Sequence, residues 1–155
     1  MARGVTASVG AATGAVPATD GPGTGSEPAG GSNGPAPWTM PAVPESIAAG
    51  IRVYRANYCG TCHRNTLAGT AGIFGPSHDS LRTHAARWIR DPAYTGQAKT
   101  PEAYVRESIR DPGVWRVPGF ERTRFLMPAY TQLTDSDVDA LVRMLLWRPS
   151  AEGGS

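Results

Sequence analysis

Cys59-Gly60-Thr61-Cys62-His63 decides the reading of this chain. Its cysteines are the only two in 155 residues, and a histidine directly follows the second. C-x-x-C-H is the pattern of c-type haem attachment. Two thiols one short turn apart can add to the two vinyl groups of a single haem. The next residue is then held under the iron, where its imidazole can ligate. Other uses of a C-x-x-C pair fit less well. A thioredoxin-like dithiol wants a βαβ setting, and no strand pattern lies nearby. A structural zinc site usually takes four Cys or His ligands. No further cysteine exists, and His78 and His84 do not make a convincing second pair. A plain disulfide would leave His63 unexplained.

Outward from the motif, the composition changes sharply. Residues 1–42 are crowded with Gly, Pro, Ala, Ser and Thr, as in Gly21-Pro22-Gly23-Thr24-Gly25-Ser26, and carry one aromatic, Trp38. Such a segment buries too little apolar surface to offset its ordering entropy. It is expected to be a flexible linker or arm. The folded domain is expected over residues 43–149, with a disordered tail at 150–155. That is a small domain for a self-sufficient core, and a buried haem would add apolar contact.

The formal net charge is +2, and two haem propionates would bring it near neutrality. With no basic run, nucleic acid is not an expected partner. No apolar stretch approaches the roughly 18 residues of a membrane span. Val5 to Val16 is only mildly apolar and makes a poor signal peptide. Haem attachment to C-x-x-C-H normally occurs outside the bacterial cytoplasmic membrane. The expected location is therefore the periplasm or the outer face of that membrane. A trimmed signal or anchor, a misplaced start codon or a marginal signal over residues 1–18 would reconcile the two. A long arm ahead of a small domain suits a tether to a missing membrane anchor.

Four helices are expected and no strand. The first runs from Pro44 to Tyr58, with Ile47, Ile51, Tyr54 and Tyr58 on one face. Gly50 sits mid-helix at a cost of about 1 kcal/mol against Ala, which a close helix crossing would explain. The second runs from Ser80 to Arg90 with Leu81, Ala85, Trp88 and Ile89 as its stripe. It ends before Asp91-Pro92. The third starts with Thr100 as N-cap and Pro101 at the first position, and carries Tyr104, Val105 and Ile109. The last is capped by Thr134, with Asp135 and Asp137 in the first turn, where negative charge suits the helix dipole. Val138, Leu141, Val142, Leu145 and Leu146 form its buried face.

A closed electron-transfer iron needs a sixth ligand. Of four methionines, Met1 is the start, Met40 lies in the arm and Met144 sits within the last helix, where packing is expected. Met127 stands in a loop before Pro128. It can be either a distal thioether ligand or an ordinary buried methionine.

The chain resembles class I c-type cytochromes. The resemblance rests on Cys59-Gly60-Thr61-Cys62-His63, Gly75-Pro76, Met127-Pro128-Ala129-Tyr130 and the final helix from Thr134 to Trp147, and spans about residues 45–148. More narrowly, Tyr104 to Ile109, Val117-Pro118-Gly119-Phe120 and Met127-Pro128 look like the cytochrome c domain fused to subunit II of haem-copper oxidases. Similar single-haem domains occur in membrane-tethered respiratory cytochromes c. Subunit II carries a copper site with two further cysteines, which this chain lacks, so a whole subunit II is excluded.

The resemblance implies a mainly α cytochrome c fold of about four helices around one covalent haem c. It implies Cys59 and Cys62 as thioether anchors, His63 and Met127 as iron ligands, and the Pro76 carbonyl as acceptor for the His63 Nδ1–H. The first and last helices would cross near Gly50 and Tyr54, against Leu141 to Leu145. Ser77-His78 departs from the acidic residue and leucine usual after Gly-Pro, and His78 is expected at the surface, with a place beside the haem edge as the rival role. Arg122 and Arg124 are expected to be solvated, with pairing to a propionate as the rival role. Trp88 is expected to pack in the core.

The expected function is one-electron transfer between respiratory-chain or photosynthetic membrane complexes, with no catalytic residue. A quinol-oxidising complex would be the donor and a haem-copper oxidase or reductase the acceptor. One rival is a fixed relay subunit of a single oxidoreductase complex. The other is a haem catalyst or gas binder with an open sixth site, for which no distal acid–base pair is visible.

Overall fold

Two helices meeting at a glycine form the centre of the domain. In the computed structural model, which describes residues 37–149, α1 spans Glu45–Ala56 and α4 spans Asp135–Leu145. A Cβ on Gly50 would lie 2.3 Å from the Ala140 carbonyl oxygen and 2.4 Å from Met144 Cβ. Only a residue without a side chain permits this approach, so the expected crossing is present. Ile47, Ile51 and Tyr54 bury their side chains in the contact together with Val138, Leu141, Met144 and Leu145. Met144 is packing, as expected, with its sulfur 4.0 Å from Asn65 Nδ2.

The remaining elements follow the caps in the sequence. α2 spans Leu81–Trp88 and α3 spans Pro101–Arg110. Thr100 accepts a hydrogen bond from the Ala103 N–H at 3.2 Å, so the predicted N-cap is realised. At α4 the Thr134 hydroxyl accepts from the Asp137 N–H, and the Asp137 carboxylate accepts from the Thr134 N–H. This reciprocal capping box satisfies two otherwise orphaned donors. α3 is also tied to the start of α4. Arg110 donates to the Tyr130 and Leu133 carbonyls at 3.0 and 2.7 Å and to Asp135 at 2.9 Å.

Three expectations need correction. The first helix ends at Ala56, and Tyr58 adopts left-handed φ 55°, ψ 24°. The chain reverses there to enter a 3₁₀ turn at Cys59–Thr61, so Tyr58 leaves the buried stripe and is 79% exposed. A small antiparallel pair is present where no strand was expected: β1, Arg64–Asn65, with β2, Thr70–Ala71. Two residues per strand are too few for a periodic signal. Trp38 is partly buried against the core rather than loose. The Arg55 guanidinium lies 4.0 Å from its ring centroid, a cation–π contact, and Arg55 also donates to the Ala68 carbonyl at 2.7 Å. The packed body therefore reaches back past the expected boundary at residue 43. The rest of the expected arm, residues 1–36, and the tail at 150–155 lie outside the described residues. No helix among the described residues is long and apolar enough to cross a membrane.

Candidate functional site

The 3₁₀ turn at Cys59–Thr61 brings His63 inward. The Cys62 and His63 N–H groups both donate to the Cys59 carbonyl, at 3.3 and 3.1 Å. The loop then returns: Gly75 N–H donates to the Cys62 carbonyl at 2.9 Å. A Cβ on Gly75 would stand 2.5 Å from His63 Cε1, so this glycine lets the backbone pass directly against the ring. The next carbonyl along, that of Pro76, accepts from His63 Nδ1–H at 2.8 Å. The His63 carbonyl in turn accepts from the Thr70 and Tyr54 hydroxyls at 3.0 and 3.3 Å.

His63 is only 7% exposed. Burial lowers its pKa, an effect the Pro76 bond partly opposes. The neutral ring carries its proton on Nδ1 and keeps the Nε2 lone pair, which is the metal-binding form. Burial also pushes the Cys59 thiol up to about 11. That is unfavourable for the thiolate which redox dithiols and zinc sites require. Cys59 and Cys62 are not joined in a disulfide. Among the described residues no group of three or more His, Cys, Asp or Glu side chains could hold a metal ion.

His63 lines a cavity of about 240 Å³ whose walls are mostly apolar. Cys59, Cys62 and Pro76 share that lining with Met127, Leu133, Trp88, Tyr104, Ile109, Leu141 and Leu145. All five residues expected at the site are thus gathered around one space, although the motif and Met127 are far apart in the chain. Met127 arrives on the long segment between α3 and α4. Tyr130, three residues on, donates to the Asn57 carbonyl at 3.3 Å and so ties this segment to the end of α1.

The other candidates fall differently. Trp88 is buried and lies among His84, Tyr104 and Trp115, with ring centroids 5.3 to 6.0 Å away. Arg122 and Arg124 are exposed and are not among the lining residues, whereas Arg116 is. Nothing in its sequence surroundings singled out Arg116, because its place depends on the path of the 112–133 loop. His78 is the clearest correction. It is not a free surface residue: its ring stacks on His63 and its Nδ1 lies 3.3 Å from the Tyr54 hydroxyl. The backbone bond from His78 N–H to the Arg64 carbonyl turns the side chain inward.

The sequence matches the family model described as Cytochrome c over residues 47–148. This chain belongs to the cytochrome c family. No curated protein and no solved structure matches it. The family binds covalently attached haem c, and the residues of this cytochrome fit that group. Two thiols, a buried neutral imidazole and an apolar cleft between helices are the donor set and walls that a haem needs. The cytochrome is an electron-transfer protein built on a mainly helical domain.

Proposed function

We propose that this cytochrome is a single-haem electron carrier whose iron is ligated by His63 and Met127. Cys59 and Cys62 would anchor the haem through thioethers. When bound, the haem supplies a one-electron couple. The chain supplies everything that adjusts it. Pro76 fixes the His63 ring through Nδ1–H and raises its basicity. Met127 brings a soft thioether that favours the ferrous state. Trp88, Tyr104, Ile109, Leu141 and Leu145 keep water out. The observation that carries the reading is the convergence of Cys59, Cys62, His63 and Met127 on one apolar cavity, with His63 already oriented by Pro76.

Tyr58, Phe74, Phe125 and Leu126 are exposed apolar side chains that line the same cavity, and Phe74 and Phe125 lie 4.3 Å apart between ring centroids. An apolar rim beside the cysteines suits brief docking over a small interface. The partners we propose are a quinol-oxidising complex as donor and a haem-copper oxidase or reductase as acceptor. The protein would work in the periplasm or on the outer membrane face. There it would be a free-standing or tethered relative of the cytochrome c domain fused to oxidase subunit II. A linker would raise its effective concentration near a membrane partner.

An absorption spectrum of the protein from a host able to attach haem, recorded oxidised and reduced, native and denatured, tests this reading. Haem that stays attached on denaturation, together with the ferric sulfur-to-iron charge-transfer band in the native state, is expected. Covalent haem without that band would remove Met127 from the iron and return the open-site reading.

A further inference from the structure

His78 is held against His63 by three independent contacts. Their rings lie 4.1 Å apart between centroids with planes only 16° apart. The His78 backbone N–H donates to the Arg64 carbonyl at 2.8 Å. Its Nδ1 stands 3.3 Å from the hydroxyl of Tyr54, a fully buried residue of α1. That hydroxyl is also 3.3 Å from the His63 carbonyl oxygen. One proton arrangement satisfies both bonds. His78 Nδ1–H donates to the Tyr54 hydroxyl, and the hydroxyl donates to the His63 carbonyl. The loop closes on His63 twice, once through its ring face and once through its own backbone.

An aliphatic residue would fill the same space without a partner for Tyr54 and without a flat face to lie along the imidazole. The Pro76 bond fixes one atom of the His63 ring, but rotation about the Nδ1–H···O direction is left to whatever packs on the ring face. His78 supplies that constraint.

We propose that His78 is a positioning residue for the proximal ligand: its ring sets the plane of the His63 imidazole and lends π density to the charge which that ligand shares with ferric iron. The proposal rests on His63 being the iron ligand. A π face attracts positive charge, so the stack favours the ferric state. Replacing it with an aliphatic side chain should shift the balance toward ferrous.

The test uses the haem-loaded full chain with His78→Leu, His78→Phe and Tyr54→Phe. Midpoint potentials come from spectroelectrochemical titration, and the orientation of the axial imidazole plane from the ferric haem-methyl proton shifts. His78→Leu is expected to favour the ferrous form about tenfold, the scale of outer-shell effects, equal to ~59 mV for a one-electron couple. Its methyl shifts should be redistributed. His78→Phe keeps a stacking face and should stay within about threefold of the wild type. An unchanged potential and methyl pattern in His78→Leu would overturn the proposal, as would an equal shift in His78→Phe. Where His78→Leu fails to load haem, Tyr54→Phe carries the test, and unchanged methyl shifts there overturn it. Absence of the sulfur band in the wild type would instead remove Met127 from the iron, a failure separate from that of the His78 proposal, which rests on His63.

Discussion

The two walls of the cavity are built differently. The proximal wall, Cys59 to His78, is closed by bonds between separated residues: Gly75 to Cys62, His78 to Arg64, and His63 to Pro76. The distal segment between α3 and α4 is made mostly of local turns, such as Val114 to Asp111, Phe120 to Val117 and Thr123 to Phe120. It is fastened mainly where Tyr130 and Leu133 meet α3 and Arg110. Segments with few long-range bonds open at lower free energy than segments tied into the core. Of the two proposed iron ligands, His63 is therefore built into the domain and Met127 is delivered by a loop. Exchange of ligands at the iron should begin on the distal side.

The largest effect should come from Cys59→Ser with Cys62→Ser. Covalent haem should be lost, and stable folding with it, since the apolar walls would have nothing to close on. Denaturing gels stained for haem and circular dichroism would check this, and a well-folded double variant would show that the proximal wall stands by itself. Met127→Ala should come next. It should leave haem attached and the helices intact but abolish the sulfur band and allow cyanide or carbon monoxide to bind. A retained band would erase the proposed contrast between the walls.

Gly75→Ala sharpens the comparison from the proximal side. Its Cβ would fall within 2.5 Å of the His63 ring, so the ring or the loop must shift at a cost of about 1–3 kcal/mol. Lower thermal stability and an altered ferric spectrum are expected, with Met127 still bound. The smallest effect should be that of Arg110→Ala. Two carbonyls at the foot of the distal segment lose a charged donor, for about 1–2 kcal/mol. Faster cyanide binding with attachment unchanged should be seen by stopped flow. An equal acceleration in Gly75→Ala would mean that both walls move together.

Much of this was legible in residues alone. Thr100 and Pro101, and Thr134 with Asp137, announce helix starts because their bonds are local. Gly50 announces a crossing because nothing else accounts for a glycine on a helical apolar face. Tyr58 misled because a periodic stripe does not show where the chain turns left-handed. Trp38 misled because the Gly- and Pro-rich composition around it said nothing about Arg55 waiting across the fold.

The order Cys59-x-x-Cys62-His63 by itself pointed to haem chemistry, because the two proposed attachment points and one proposed ligand lie within a single turn and need no distant partner. The tertiary structure alone decided what surrounds that histidine. Gly75, Pro76, His78 and Tyr54 meet at His63 only when the 64–78 loop folds back onto α1. Met127 reaches the same cavity on a segment anchored at Tyr130 by Asn57 and Arg110. Contacts between residues far apart in the chain carry no periodicity and no spacing, so their placement exists only in the folded state.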